Sequence, residues 1–138
     1  MKWTFENKEF NKTDIGDYIG FVYIIHNITK DKFYIGKKNF FKIIKRKPLK
    51  NKKRGRSDKV FSDWENYCGS SKELTEDIDN GDVLNKTILK LCTSKASMTY
   101  YELKYQLDHD ALFKDNYYNG IINVRLSKIC SKNIQKDA

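Results

Sequence analysis

Residues 20–38 read GFVYIIHNITKDKFYIGKK, two runs of β-branched and aromatic residues on either side of a short polar segment. Such runs joined by turn-forming residues predict a β-hairpin. If Ile25 pairs with Lys32, Tyr23 and Tyr34 lie directly opposite each other on one face of the sheet. His26 then points to the other face. The stretch predicts a hairpin that carries two phenols on one surface.

The rest of the chain supplies one further strand and several helices. NKTILKLC, residues 85–92, predicts a third strand. Between the hairpin and this strand, Ser62 and one of Ser70 or Ser71 are helix-cap candidates, so we expect two short helices ending near Gly81. After it, Thr99 and Glu102 have the spacing of a capping box and predict a helix. YYNGIINVRL, near the end, predicts a turn and a short strand.

This order of elements predicts an α/β fold: one small domain with a central three-stranded sheet, made of the hairpin and the third strand and flanked by helices. At 138 residues the chain is large enough to bury one hydrophobic core. We expect an irregular arm over 1–19 that can add an edge strand, the domain over 20–125 and a polar, frayed tail over 126–138.

The positive charge is concentrated in one segment. The formal net charge is +9, yet residues 37–56 hold eleven Lys or Arg and no acid, which leaves 16 basic against 18 acidic residues elsewhere. Such a segment predicts a loop that binds nucleic acid phosphates with release of counterions. A solvated loop and an anionic membrane surface are the alternatives. The candidate contacts are the cations Lys37, Lys45, Lys47, Lys50, Lys52, Lys53, Arg54 and Arg56.

Aromatic residues after the basic segment have two interpretations. Trp64 and Tyr67 lie three residues apart and can stack on bases, but a short amphipathic helix also uses such residues for its core. We retain Trp64 as a nucleic acid contact candidate.

Several classes of protein are disfavoured. Three cysteines without close spacing indicate neither a disulfide framework nor a zinc site. No signal peptide and no apolar run of the length of a membrane span is present. We expect a cytoplasmic protein without a membrane partner.

The candidate chemistry rests on phenols and one carboxylate, each with a purely structural alternative. In most proteins, two tyrosines placed on a hairpin like Tyr23 and Tyr34 serve only packing. Nearby lysines favour the phenolate, however, and about 2.7 kcal/mol lowers a phenol pKa from about 10 to about 8. A tyrosine of that kind can orient or deprotonate a water that attacks a phosphodiester. On spacing alone, Glu102 fits better as the distal half of a capping box than as a catalytic group.

These residues resemble a known signature. GFVYIIHN and KFYIGKK are similar to the GIY-YIG nuclease superfamily, with Phe21-Val22-Tyr23 as the first half and Tyr34-Ile35-Gly36 as the second. TYYELK resembles the family helix that presents one metal-binding glutamate, and YYNG resembles the closing asparagine motif. SDWENYCGSS, after a lysine-rich stretch, is similar to an element of small phage-encoded members. The resemblance covers residues 20–125.

The resemblance implies a DNA endonuclease that uses one divalent ion, Mg²⁺ or Mn²⁺. It assigns Tyr23 as base or water-positioner, Tyr34 and Lys38 as supporting residues and Glu102 as the metal ligand. The family's arginine comes from a helix after the second half of the signature. Here Arg46 is the nearest match, with Arg54 and Arg56 as alternatives.

Other assignments stay open at this level. The site asparagine is Asn119, or Asn123 close behind it. DNA specificity must come from loops, a homodimer or another partner. A module that keeps the fold and binds nucleic acid without cutting is the alternative function.

Overall fold

The computed structural model describes residues 2–138. Its strands and helices are β1 (Trp3–Phe5), β2 (Lys8–Glu9), β3 (Gly20–Asn27), β4 (Lys32–Asn39), β5 (Phe41–Arg46), β6 (Arg56–Phe61), α1 (Lys72–Asp79), β7 (Leu84–Cys92), α2 (Lys95–Asp108) and α3 (Ser131–Gln135). Five strands form one sheet in the order β2-β1-β7-β3-β4, and β5 pairs only with β6. The α/β class is therefore confirmed.

The hairpin is present, but its register differs from the prediction. β3 and β4 pair antiparallel with Tyr23 opposite Gly36 and Ile25 opposite Tyr34, two residues away from the expected pairing. The two tyrosines are diagonal neighbours on the same face, and their ring centroids are 6.2 Å apart. A Cβ on Gly36 would overlap the Tyr23 phenol, 2.7 Å from Cζ. Glycine therefore sets this register by leaving room for the Tyr23 ring.

The central three strands are as predicted, and the first residues of the chain extend them. β7 pairs antiparallel with β3, and β1 joins β7 in parallel, with β2 outside it. The Trp3 ring is buried, with its centroid 5.0 Å from those of Phe21 and Tyr23. The N-terminal segment therefore adds an edge strand, one of the two outcomes expected for it, and the sheet has five strands rather than the central three, because burying this indole outweighs the weak local propensity of so short a strand.

Each face of the sheet has its own core. One face carries an aromatic cluster that includes Trp3, Phe21, Phe40 and Trp64, and α2 covers the other face with Met98 and Tyr101 among its buried residues. Trp64 is only 1% exposed, and its ring packs edge-on against that of Phe40 at 5.1 Å. The prediction that Trp64 contacts nucleic acid is therefore wrong, because its ring is buried in the core.

The basic segment is a strand pair rather than a loop. β5 and β6 form an antiparallel ribbon in which Phe41 pairs with Phe61 and Arg46 with Arg56. We call residues 41–61 the ribbon. It contains ten Lys or Arg and one acid, Asp58, so the remaining chain has 17 basic and 17 acidic residues. The ribbon therefore carries a formal charge equal to the whole net charge.

One predicted helix start is confirmed, and two are wrong. α1 is capped by Ser71, whose hydroxyl accepts from the Leu74 amide, while the segment after Ser62 forms only turns. α2 begins after Ser94, which caps the Ser97 amide. Thr99 thus lies inside the helix, where its hydroxyl donates to the Lys95 carbonyl. The capping box interpretation of Glu102 was wrong, because an earlier serine supplies the cap.

The last residues are ordered by two contacts. Tyr117 forms a single parallel bridge to Phe33, and the predicted strand goes no further. α3 follows, and the buried Asp137 carboxylate accepts from the Thr93 amide at 2.8 Å and the Thr93 hydroxyl at 2.9 Å. These bonds explain why the frayed tail is not observed. Over residues 2–138, no helix has the length and apolarity needed to cross a membrane.

Candidate active site

A concavity of about 370 Å³ lies at the exposed edge of β4. Side chains from both faces of a sheet can meet at an edge strand, and here they come from β4, from α2 and from the segment after α2. Its lining includes Tyr34, Ser71, Glu102, Gln106, Tyr118 and Asn119. The structure therefore brings together three of the predicted site residues: one tyrosine, the glutamate and the asparagine.

Tyr34 is the tyrosine that reaches this concavity. It is half-buried, and its hydroxyl lies 2.8 Å from the Ser70 hydroxyl. Gly69 lies in the left-handed region at φ +90°, and a Cβ there would be 3.0 Å from two ring carbons of Tyr34. The Gly69-Ser70 turn thus packs against the ring and holds its hydroxyl. Burial raises the pKa of Tyr34.

Tyr23 lies behind Tyr34 and does not line the concavity. It is 1% exposed, and its ring contacts those of Tyr34 and Tyr67. Burial, then the proximity of Tyr67 and Tyr34, raises its pKa well above the ordinary value of 10.0. The expected lowering of the phenol pKa values was therefore wrong in direction for both tyrosines. Each stays protonated at neutral pH and can donate a hydrogen bond.

The two lysines after the signature point away from the phenols. Lys38 Nζ pairs with Asp63 at 2.7 Å and lies 4.0 Å above the ring centroid of Tyr67. Lys37 lies on the other face of β4 and donates to the Thr99 hydroxyl at 2.9 Å. Neither cation is close enough to offset the desolvation of the phenols, which explains their raised pKa values.

Glu102 is a half-buried carboxylate on the α2 side of the concavity. Desolvation raises its pKa, and the charge of Lys37 opposes this effect. No Lys, Arg or His among residues 2–138 forms an ion pair with it. A partly desolvated carboxylate without an ion pair in a polar concavity fits a hard divalent cation, which prefers oxygen ligands. Residues 2–138 contain no cluster of three or more His, Cys, Asp or Glu suited to a metal ion.

Asn119 binds the edge strand itself. Its Oδ1 accepts from the Ile35 amide at 3.0 Å, and its Nδ2 donates to the Ile35 carbonyl at 2.7 Å. The side chain satisfies two backbone groups of β4 as another strand would. Asn123, in contrast, is exposed and makes no side-chain hydrogen bond to residues 2–138.

None of the candidate arginines lines the concavity. Arg46 pairs with Asp58 on the ribbon, and Arg56 Nε donates to the Lys47 carbonyl at 3.3 Å. Arg54 is exposed in the connection between β5 and β6. The resemblance implies a helix with an arginine after the second half of the signature, whereas this chain has a strand pair there.

Sequence reasoning missed the residues that support the site. Tyr118 donates to Asp77 at 2.6 Å and accepts from the Asn27 amide group at 3.0 Å. Lys30 forms an ion pair with Asp77. Gln106 donates to the Ile35 carbonyl at 3.3 Å. Of the residues that support the site, only Gly69 and the serines beside it could have been recognised in the sequence, because a glycine next to helix-capping residues marks a tight turn.

Comparison with known proteins identifies the family to which this chain belongs. Residues 3–122 match the family model described as "Putative endonuclease segE, GIY-YIG domain". The match covers most of the chain, which therefore belongs to this GIY-YIG endonuclease family. No curated protein and no solved structure matches it significantly.

Proposed function

We propose that this protein is a DNA endonuclease that hydrolyses a phosphodiester bond in the concavity between Tyr34 and Glu102, with one divalent ion. One observation carries the proposal. In a domain of a nuclease family, a half-buried glutamate without an ion pair shares a concavity with a signature tyrosine and an asparagine that fixes the strand between them.

The chain's own groups divide the work at the scissile phosphate. The Tyr34 hydroxyl, fixed by Ser70, is protonated and orients the attacking water as a hydrogen-bond donor or acceptor. Tyr23 holds the Tyr34 ring from behind. Glu102 would hold Mg²⁺ or Mn²⁺, which when bound acts as a Lewis acid on the phosphoryl oxygens.

The remaining residues position the substrate. Asn119 fixes the edge of β4, so that Tyr34 and Glu102 keep their separation. The ribbon supplies affinity, because its exposed cations attract the DNA backbone. A two-stranded ribbon also has the width that the DNA major groove admits. Binding by the ribbon then presents a phosphate to the concavity.

Plasmid cleavage tests the proposal. We expect the wild-type protein to nick or cut supercoiled plasmid with Mg²⁺ or Mn²⁺ and to leave it intact in EDTA. Glu102→Gln should lower the rate by about 10²–10³, the cost of removing one electrostatic group from such a site. Its DNA affinity should stay within about twofold.

Glu76→Gln is the matched control. Glu76 is an exposed glutamate on α1 without an ion pair among residues 2–138. The control should cut at the wild-type rate. Equal rates for Glu102→Gln and wild type would contradict the assignment of the metal ligand.

A second function has one observation in its favour. The concavity has no arginine to stabilise charge that grows on the phosphorus, and Arg46 is held by Asp58. A chain of this kind can bind nucleic acid without cutting it. Tight DNA binding with no cleavage under any divalent ion would favour this binding module over the nuclease.

A further inference from the structure

A second concavity, of about 470 Å³, lies where the base of the ribbon meets β4 and the start of α2. It is lined by four lysines and one acid: Lys37, Lys38, Lys42, Lys95 and Asp63. We call it the lysine pocket. Its cations come from three separate elements, so their convergence is a property of the fold and was not visible in the sequence.

The charge of the lysine pocket is not balanced from within. Asp63 pairs with Lys38 at 2.7 Å. Lys37 binds only the neutral Thr99 hydroxyl, and neither Lys42 nor Lys95 has an ion pair among residues 2–138. Three uncompensated cations around one cavity repel one another, and a bound anion removes that repulsion.

The α2 helix connects this pocket to the active site. Lys95 and Thr99 line the lysine pocket, while Glu102 and Gln106 line the concavity of Tyr34. Spacings of four, three and four residues place all of these side chains on one helix face. From Lys95 to Glu102 the helix rises about 10 Å, roughly the rise of three nucleotides on one strand of B-DNA.

The opposite wall follows the same direction. Tyr34 lies in the active-site concavity and Lys37 in the lysine pocket, about 10 Å apart along β4 at 3.3–3.4 Å per residue. The Lys37–Thr99 hydrogen bond joins the two walls at the lysine pocket. The two cavities therefore follow one another along the same stretch of β4 and α2.

We infer that the lysine pocket binds a backbone phosphate of the DNA strand that is cut, within about three nucleotides of the scissile bond. This inference rests on the proposed function, and it adds a subsite that fixes the register of the strand. The ribbon cations provide general attraction, whereas the pocket holds one phosphate at a defined distance from Glu102.

A salt titration of DNA binding tests the pocket without cleavage. In a Glu102→Gln background, Lys95→Gln should reduce the slope of log K against log salt by about 0.9, the loss of one phosphate contact. Between 50 and 200 mM salt, the affinity of Lys95→Gln should then fall about threefold less than that of its parent.

Lys104→Gln provides the matched control. Lys104 is an exposed lysine of the same helix, nine residues or two and a half turns from Lys95, and so lies on the opposite face. It removes the same charge from the same element and should leave the slope unchanged. Equal slopes for the two variants would overturn the inference.

Single methylphosphonate substitutions locate the phosphate. Each removes one backbone charge of a short duplex, and one position within three nucleotides of the cut should weaken binding about threefold. In Lys95→Gln the same substitution should have no further effect, because both changes remove one contact. If the two effects add at every position, the pocket does not hold a phosphate of that strand.

Pyrophosphate and cleavage separate the other outcomes. If pyrophosphate perturbs the NMR signals of the Lys95 region but no methylphosphonate position couples to Lys95, the site takes a free phosphate and the DNA subsite is overturned. If the coupling is found but wild-type protein never cuts DNA, the subsite stands and the proposed nuclease falls. Failure of the wild-type chain to bind DNA overturns both.

Discussion

The active-site concavity and the ribbon hold their side chains in opposite ways. Tyr34, Glu102 and Asn119 are half-buried, and their elements are anchored in the two cores of the sheet. The ribbon residues between Lys45 and Lys59 are all exposed, and β5 and β6 pair only with each other. Under the proposed function, cleavage, which needs fixed distances between groups, is thus placed on a rigid sheet edge. DNA binding, which needs only positive charge, is placed on the exposed ribbon.

The largest effect is expected at Trp64, which lies three residues after the ribbon in sequence but belongs to the core. Trp64→Ala should destabilise the protein by about 3–5 kcal/mol, because it empties a fully buried site in the aromatic cluster. Urea denaturation measures this effect. Trp64→Phe should cost less, since it retains a ring and removes an indole N–H that has no hydrogen-bond partner.

Trp64→Phe also separates packing from DNA contact. Its salt slope for DNA binding should equal that of the wild type. A small stability change accompanied by a large loss of DNA affinity would show that Trp64 contacts DNA. It would then contradict the assignment of Trp64 to the core.

Neutralising the ribbon tip should affect binding alone. Replacing Lys52, Lys53 and Arg54 with Gln should reduce the salt slope by up to about 2.7, so that between 50 and 200 mM salt the affinity of the variant falls up to about 40-fold less than that of the wild type. The single-turnover cleavage rate of fully bound DNA should not change, because none of these residues lines the concavity.

Three lysines on another surface give the matched control. Replacing Lys128, Lys132 and Lys136 with Gln removes the same net charge near α3. This variant should keep the wild-type slope. A similar loss in both triple variants would show that total charge, rather than the ribbon, sets the affinity.

The polar network of Asp77, Lys30 and Tyr118, which lies behind Asn119, should make the free energy of unfolding depend on pH. The Lys30 ion pair, followed by the Tyr118 hydrogen bond, lowers the pKa of Asp77 below its ordinary value of 3.8. This contribution to stability is fully present above pH 3.8 and is lost as the pH falls through the lower folded-state pKa. Asp77→Asn should be less stable than wild type at pH 7, and their unfolding free energies should converge in acid. Parallel curves down to pH 2 would contradict the coupling.

The smallest effect should come from Arg46. Its ion pair with Asp58 is exposed, so Arg46→Gln should change stability by no more than about 0.2–1 kcal/mol. We expect the cleavage rate of bound DNA to fall less than about threefold. A loss of 100-fold or more would show that DNA binding moves this arginine to the scissile phosphate, which would erase the division between the two regions.

Local patterns predicted what local interactions determine. The hairpin and the third strand follow from runs of β-branched and aromatic residues, and Ser71 was recognised as a cap candidate. The pairing of Tyr23 with Gly36 was missed, because it depends on the space that a glycine leaves beneath a phenol. Similarly, Ser94 caps α2 with a common signal, but the spacing of Thr99 and Glu102 imitated a helix start five residues later.

Non-local contacts account for the other errors. Three residues around Trp3 are too few for a period, and their strand joins the central sheet only through β7, which is distant in sequence. The ribbon was hidden by its own charge, since cations on both faces erase the alternation that marks a half-buried strand. For the site, the family signature led to Tyr34, Glu102 and Asn119, whereas the supporting Ser70, Tyr118 and Asp77 come together only in three dimensions.

The parallel pairing of β1 with β7 also orders events during synthesis. Trp3 lies beside Lys86, so until β7 has been synthesised the first strand can pair only with the two-residue β2. The ribbon is translated before β7, and Glu102 is translated after it. Under the proposed function, a nascent or prematurely terminated chain would therefore bind nucleic acid before it has the carboxylate that would hold the metal ion for cleavage.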